Sequence, residues 1–162
     1  MKRLTLSSLL ILSMTAHGHT AAPKSEPPFR SAGGAFLALS VADLQQSARW
    51  YAEKLGLEVV MQSPKRDGAA VIVLEGGGLI VELVQLDEAL PLSNVTPSRG
   101  APQLVHGFFK AGIVVDDLDG TVARLKQRGV AIAFGPFPRR DNQRANVLIR
   151  DNAGNLIQLL GR

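Results

Sequence analysis

From position 36 the chain alternates as a half-buried strand does, with Leu37, Leu39 and Val41 on one side and Phe36, Ala38 and Ser40 on the other. The odd-numbered set is the natural face to pack against a helix. Asp43 follows as an N-cap, and Leu44, Ala48, Tyr51 and Leu55 recur at helical spacing until Gly56 ends the run. Three β-rich stretches come next, Leu57 to Gln62, Ala69 to Leu74 and Leu79 to Gln85, divided by turn signals at Ser63-Pro64, Asp67-Gly68 and Gly76-Gly77-Gly78. The same order then returns. A strand from Phe109 to Val115 leads into a helix from Asp117 to Arg128 closed by Gly129, and strands follow at Val130 to Phe134, Ala145 to Arg150 and Leu156 to Leu160. Phe36 to Leu44 and Lys110 to Leu118 are thus two copies of one strand-to-helix phrase. The pattern predicts an α+β fold of two βαβββ modules, with helices outside and the strands curled into a cupped, mostly antiparallel mixed sheet. A concave sheet is a ready site for a small ligand.

The flanks read differently. Residues 1–18 have the form of a secretory signal: Lys2-Arg3, an apolar run from Leu4 to Met14, and small residues at Ala16 and Gly18 before His19. That run is too short to span a bilayer. Residues 19–34, with Pro23, Pro27, Pro28 and Gly33-Gly34, read as a flexible lead-in. The first module is expected over 35–86, a connection over 87–106 and the second module over 107–162. A cleaved signal puts the mature protein in the periplasm or outside the cell.

Composition narrows the function classes. Of 162 residues, 46% are hydrophobic and 20% charged, an ordinary globular mixture. Lys and Arg total 18 against 14 acidic residues, and removal of Lys2 and Arg3 with the signal leaves 16 against 14. These cations are scattered rather than gathered on one helix face, so no nucleic-acid partner is implied. The absence of cysteine excludes disulfides, thiol nucleophiles and thiolate metal sites.

Three stretches resemble the vicinal oxygen chelate superfamily of glyoxalase I, extradiol dioxygenases and bleomycin-resistance proteins. They are Leu39 to Tyr51 with Leu55-Gly56, Gly78 to Leu83, and Asp151 to Leu159. The resemblance covers nearly everything after Gly34 and implies paired βαβββ modules around a cup, often in dimers. In metal-dependent members, ligands stand at the start of the first strand and in the middle of the last strand of each module. Carried over, those positions are Phe36, Glu82, Lys110 and Gln158. Glu82 alone matches well: Phe36 has no donor atom, Lys110 is a cation, and Gln158 offers a neutral carbonyl oxygen. Of the histidines at 17, 19 and 106, only His106 lies near a module, and it reads as a loop residue at a strand's mouth. No metal and no cofactor are expected.

The same positions suit an organic ligand. Strand parity aims Glu82 and Lys110 into one cavity with Gln158, Phe36, Ala38 and Ser40, so that a Glu82–Lys110 ion pair replaces the metal. Removing one partner of a buried pair costs ~3–5 kcal/mol. The pair either orients a ligand's polar edge above Phe36 or merely neutralises the cavity. Trp50-Tyr51 reads as core. The run Arg139 to Arg144 is a solvated hairpin or a cationic rim that attracts an acidic ligand. Gly76-Gly77-Gly78 lacks the following helix of a phosphate loop, and Ser40 lacks triad partners. Three functions follow: a metal-independent binder of a small, partly apolar molecule; a metal-dependent lyase or dioxygenase; or a metal-free enzyme with Glu82 as base and Lys110 stabilising an enolate. The first is the expectation, with a small-molecule ligand, no stable membrane span and, from the resemblance, a homodimer. Whether the cup closes within one chain or between two is left open by the alternation.

Overall fold

Asp43 and Asp117 perform the same task in the two halves of the chain. Each has extended backbone, and each side chain accepts a hydrogen bond from an amide three residues on, Gln46 N at 2.8 Å and Gly120 N at 2.9 Å. A strand is thereby turned into a helix twice. Asp43→Ala is expected to cost about 1 kcal/mol, read as a lowered urea midpoint, because the first-turn amide loses its acceptor.

The computed structural model describes residues 34–91, Asn94 and 107–162. The expected signal segment, the lead-in before Gly34, most of the connection and His106 lie outside the described residues. In the first module β1 (Ala35–Ser40) leads to α1 (Leu44–Trp50), a π-helical turn (Tyr51–Leu55), β2 (Glu58–Gln62), β3 (Ala69–Gly76) and β4 (Leu79–Leu86). In the second, β5 (Ala111–Val115) leads to α2 (Leu118–Gln127), β6 (Ile132–Phe137), β7 (Asn146–Arg150) and β8 (Leu156–Gly161). Gly56 stops the first helical segment at φ 74°, a conformation that disfavours any side chain. The α+β class and the paired βαβββ order are as the alternation predicts.

The strands are divided between two open four-stranded sheets, ordered β1-β4-β3-β2 and β5-β8-β7-β6. β1 runs parallel to β4 and β5 to β8, while the remaining neighbours are antiparallel. The modules share a core rather than pairing strand edges. Leu39, Ile72, Leu74, Val81 and Leu83 of the first sheet form one buried cluster with Val147, Ile149, Ile157 and Leu159 of the second. Leu44, Ala48 and Tyr51 from the first helical segment and Leu125 from α2 fill the same cluster. Each sheet therefore spends one face on a shared core, and its other face points away from that core.

Polar contacts fasten the halves together. Tyr51, fully buried, donates its hydroxyl to Asp151 Oδ2 at 2.9 Å, and Asn152 Nδ2 donates to Ser47 Oγ at 3.0 Å. Lys54 Nζ donates to the Arg128 carbonyl at 2.6 Å, and Arg128 Nη1 donates to the Lys54 carbonyl at 3.2 Å. Trp50 packs edge-on to Tyr51 with ring centroids 5.0 Å apart, the core role expected for this pair.

Candidate functional site

Residues paired directly across a ladder share a face, so the register assembles each outer surface. On the first sheet Phe36 pairs with Ile80, Ala38 with Glu82, and Ser40 with Val84. β3 extends these rows with Glu75, Val73 and Val71, and β2 adds Glu58 beside Glu75 and Met61 beside Val73. On the second sheet Gly112 pairs with Gln158 and Val114 with Leu160; β7 contributes Arg150, Leu148 and Asn146, and β6 contributes Phe134 and Phe137. Glu82 and Gln158 hold equivalent points of the two sheets, as do Glu75 and Arg150. Phe36, Ala38 and Ser40 are all exposed, Phe36 by 64%.

The structure brings Phe36, Ala38, Ser40 and Glu82 together on one outer face and puts Gln158 on the other. The expected Glu82–Lys110 ion pair is not formed among the described residues. Its two members belong to surfaces that look away from a common core. Strand pairing in β5 begins at Ala111 rather than Phe109, which leaves Lys110 at the rim of its sheet, half-buried, with Nζ 5.5 Å from the Phe109 ring centroid.

Donor chemistry at the four family positions does not fit a divalent metal. Phe36 presents a ring, Lys110 a cation, and no group of three or more His, Cys, Asp or Glu side chains suited to a metal exists among the described residues. Gln158 already uses its amide nitrogen, which donates to Asn146 Oδ1 at 2.8 Å. Asn146 Nδ2 in turn donates to the Arg144 carbonyl at 3.0 Å. Gln158 is therefore tied, through Asn146, to the base of the β6–β7 hairpin.

The hairpin splits its arginines between two surroundings. Arg140 and Arg144 line a concavity of about 550 Å³ with Phe137, Pro138, Gln143, Asn146 and Leu160. Arg139 is turned elsewhere and donates from Nη2 to the Arg162 carbonyl at 2.9 Å. Asn146, Phe137 and Leu160 were not singled out from sequence. Alternation of Asn146, Leu148 and Arg150 on β7 was the available signal, but their row across β6, β7 and β8 emerges only from the register.

Paired βαβββ modules, each with a parallel first and last strand and its polar positions repeated at equivalent points, define a class of duplicated α+β folds. The model of the Glyoxalase/Bleomycin resistance protein/Dioxygenase superfamily matches residues 35–159, and the chain belongs to that superfamily. Among solved structures, a glyoxylase/bleomycin resistance protein/dioxygenase domain from Frankia sp. EAN1pec is 20% identical with a TM-score of 0.62, over 82% of this chain and 94% of that one. TnmS3, an antibiotic binding protein from Streptomyces sp. CB03234, is 22% identical with a TM-score of 0.55, over 82% and 98%. A glyoxalase family protein from Bacillus cereus is 17% identical with a TM-score of 0.60, over 85% and 98%. These likenesses establish a common fold. No curated protein sequence matches the chain.

Proposed function

We propose that this protein is an exported, metal-independent binder of a small, partly apolar molecule, and that it works as a homodimer. The ligand lies between the outer face of the first module in one subunit and that of the second module in the other. One observation carries this reading: the two outer faces are apolar, carry exposed aromatic and aliphatic side chains, and are opposite in charge. Phe36, Met61, Val114, Phe134 and Phe137 are all at least 43% exposed. Glu58, Glu75 and Glu82 accompany the first set, whereas Arg150 and the rim residue Lys110 accompany the second. Faces that point away from a shared core do not meet within one chain. Two copies related by a two-fold axis bring unlike faces together twice, and each carboxylate then approaches a cation.

Further support comes from both ends of the argument. The basic pair Lys2-Arg3 and the apolar run after it suit export. No helix among the described residues is long and apolar enough to cross a membrane. TnmS3, which shares the fold, is described as antibiotic-binding. Sedimentation velocity is expected to give twice the chain mass, and thermal shift is expected to respond to aromatic small molecules but not to divalent metals. A stoichiometric divalent ion retained through purification would instead restore the metal-dependent lyase or dioxygenase reading. Lys110→Ala is expected to change the unfolding free energy of the dissociated chain by no more than ~0.5 kcal/mol, because its cation has no ion-pair partner within the chain among the described residues. A loss of several kcal/mol in urea unfolding would return the Glu82 pair to a single chain.

A further inference from the structure

We infer that the β6–β7 hairpin forms an anion-selecting end of the ligand surface, so that the molecule bound is an organic oxyanion carried on an aromatic or alicyclic body. The inference rests on the binding function proposed above and names the ligand's chemistry. Phe137, Asn146 and Leu160 lie in one row across three strands and floor the concavity, whose volume of about 550 Å³ suits a small organic molecule. Arg140 and Arg144 stand over that floor. Their carrier is held in shape from both sides. Arg140 N donates to the Gln143 carbonyl at 3.0 Å and Gln143 N to the Arg140 carbonyl at 2.9 Å, while Asn146, itself held by Gln158, grips the Arg144 carbonyl.

Neither guanidinium takes part in an ion pair among the described residues. Asp141, at the exposed hairpin tip, is the acidic side chain of this segment, and it does not line the concavity. The carboxylates of the first sheet's outer face stand in other rows. Glu58 and Glu75 share the row of Phe36, and Glu82 stands in the next row. The row of the first sheet equivalent to Asn146 and Leu160 is Val71, Val84 and Ser40, which is neutral. Two arginines above a floor of Phe137, Leu160 and the tethered Asn146 are thus left for an anion from outside, and the guanidinium fork matches a planar or tetrahedral oxyanion through paired N–H donors.

A matched pair of fluorescent probes separates the oxyanion from the ring: anilinonaphthalenesulfonate, and phenylnaphthylamine, which has the same rings without the sulfonate. Fluorescence titration of the wild-type protein at low salt is expected to show the sulfonate bound about tenfold or more tightly than its uncharged parent. In the Arg140→Gln/Arg144→Gln variant the sulfonate is expected to weaken to the level of the parent, with the parent's affinity unchanged. Arg139→Gln is expected to keep the full preference, since that side chain points to Arg162. Equal affinities in the wild type, a preference that survives the double substitution, or one lost with Arg139→Gln would each overturn the anion site while the binding function stands. Failure of both probes to bind would overturn both.

Discussion

Asp151→Ala is expected to destabilise the protein by ~3–5 kcal/mol, a large share of the stability of a domain this size. The carboxylate is 6% exposed. It accepts from Tyr51 Oη at 2.9 Å, Ala153 N at 2.9 Å, Asn155 N at 2.8 Å and Asn155 Nδ2 at 2.8 Å. Truncation leaves the buried Tyr51 hydroxyl without a partner, which by itself costs ~1–3 kcal/mol, and removes three more donors' acceptor from the β7–β8 turn. Because Tyr51 and Asp151 come from different modules, urea unfolding followed by circular dichroism should show a lower midpoint in one transition. A change below 1 kcal/mol would deny the bridge its importance.

The same bridge gives the protein an alkaline weakness. Burial raises the Tyr51 pKa above its ordinary 10.0, and the Asp151 charge and hydrogen bond raise it further. The folded state keeps a proton that the unfolded chain releases, so this contribution is complete below pH 10 and declines as pH rises above it. The slope is ~1.4 kcal/mol per pH unit. Tyr51 is the sole tyrosine, so ultraviolet absorbance reports this phenol alone. Phenolate is expected to appear only together with loss of structure, and Tyr51→Phe should remove that part of the slope. Titration near pH 10 in an intact fold would sink the assignment.

Phe36→Asp is expected to raise the dissociation constant of the proposed dimer ~10³-fold while leaving the monomer folded. Burying a phenylalanine contributes ~2 kcal/mol, and a two-fold interface contains the contact twice, giving about 4 kcal/mol. The substitution also sets a fourth carboxylate beside Glu58, Glu75 and Glu82. With the ring 64% exposed in the single chain, little intramolecular packing is at stake. Sedimentation at micromolar concentration distinguishes the outcomes, and a dimer of unchanged affinity would exclude Phe36 from the interface.

The elements were largely legible in the sequence because their signals are local. Alternation from Phe36 to Val41 separated core from surface correctly, Asp43 capped where expected, Asp117 proved to be the cap rather than the first residue of its helix, and the Glu82 and Gln158 positions fell at equivalent register points. Parity alone does not state which face of a sheet meets the other module. A Glu82–Lys110 pair within one chain needs the outer faces to converge there, whereas it is the opposite faces, with Leu83 and Leu159, that join one buried cluster. Lys110 lost its place in the ladder because pairing starts one residue later, at Ala111. The hydrogen-bond chain from Gln158 through Asn146 to Arg144 spans two strands and a hairpin, and no spacing in the sequence encodes it.

The shared core also separates two burdens that a strand usually carries together. Odd-numbered residues of β1, β4 and β5 face the core, so their even-numbered neighbours can change without opening a void behind them. Gly112 shows the latitude: a methyl group added there would meet nothing closer than the Gln158 carbonyl oxygen at 3.9 Å. Under the proposed binding function, a chain organised in this way exchanges one ligand for another through substitutions at Ala38, Gly112 or Val114 that leave its melting temperature almost untouched.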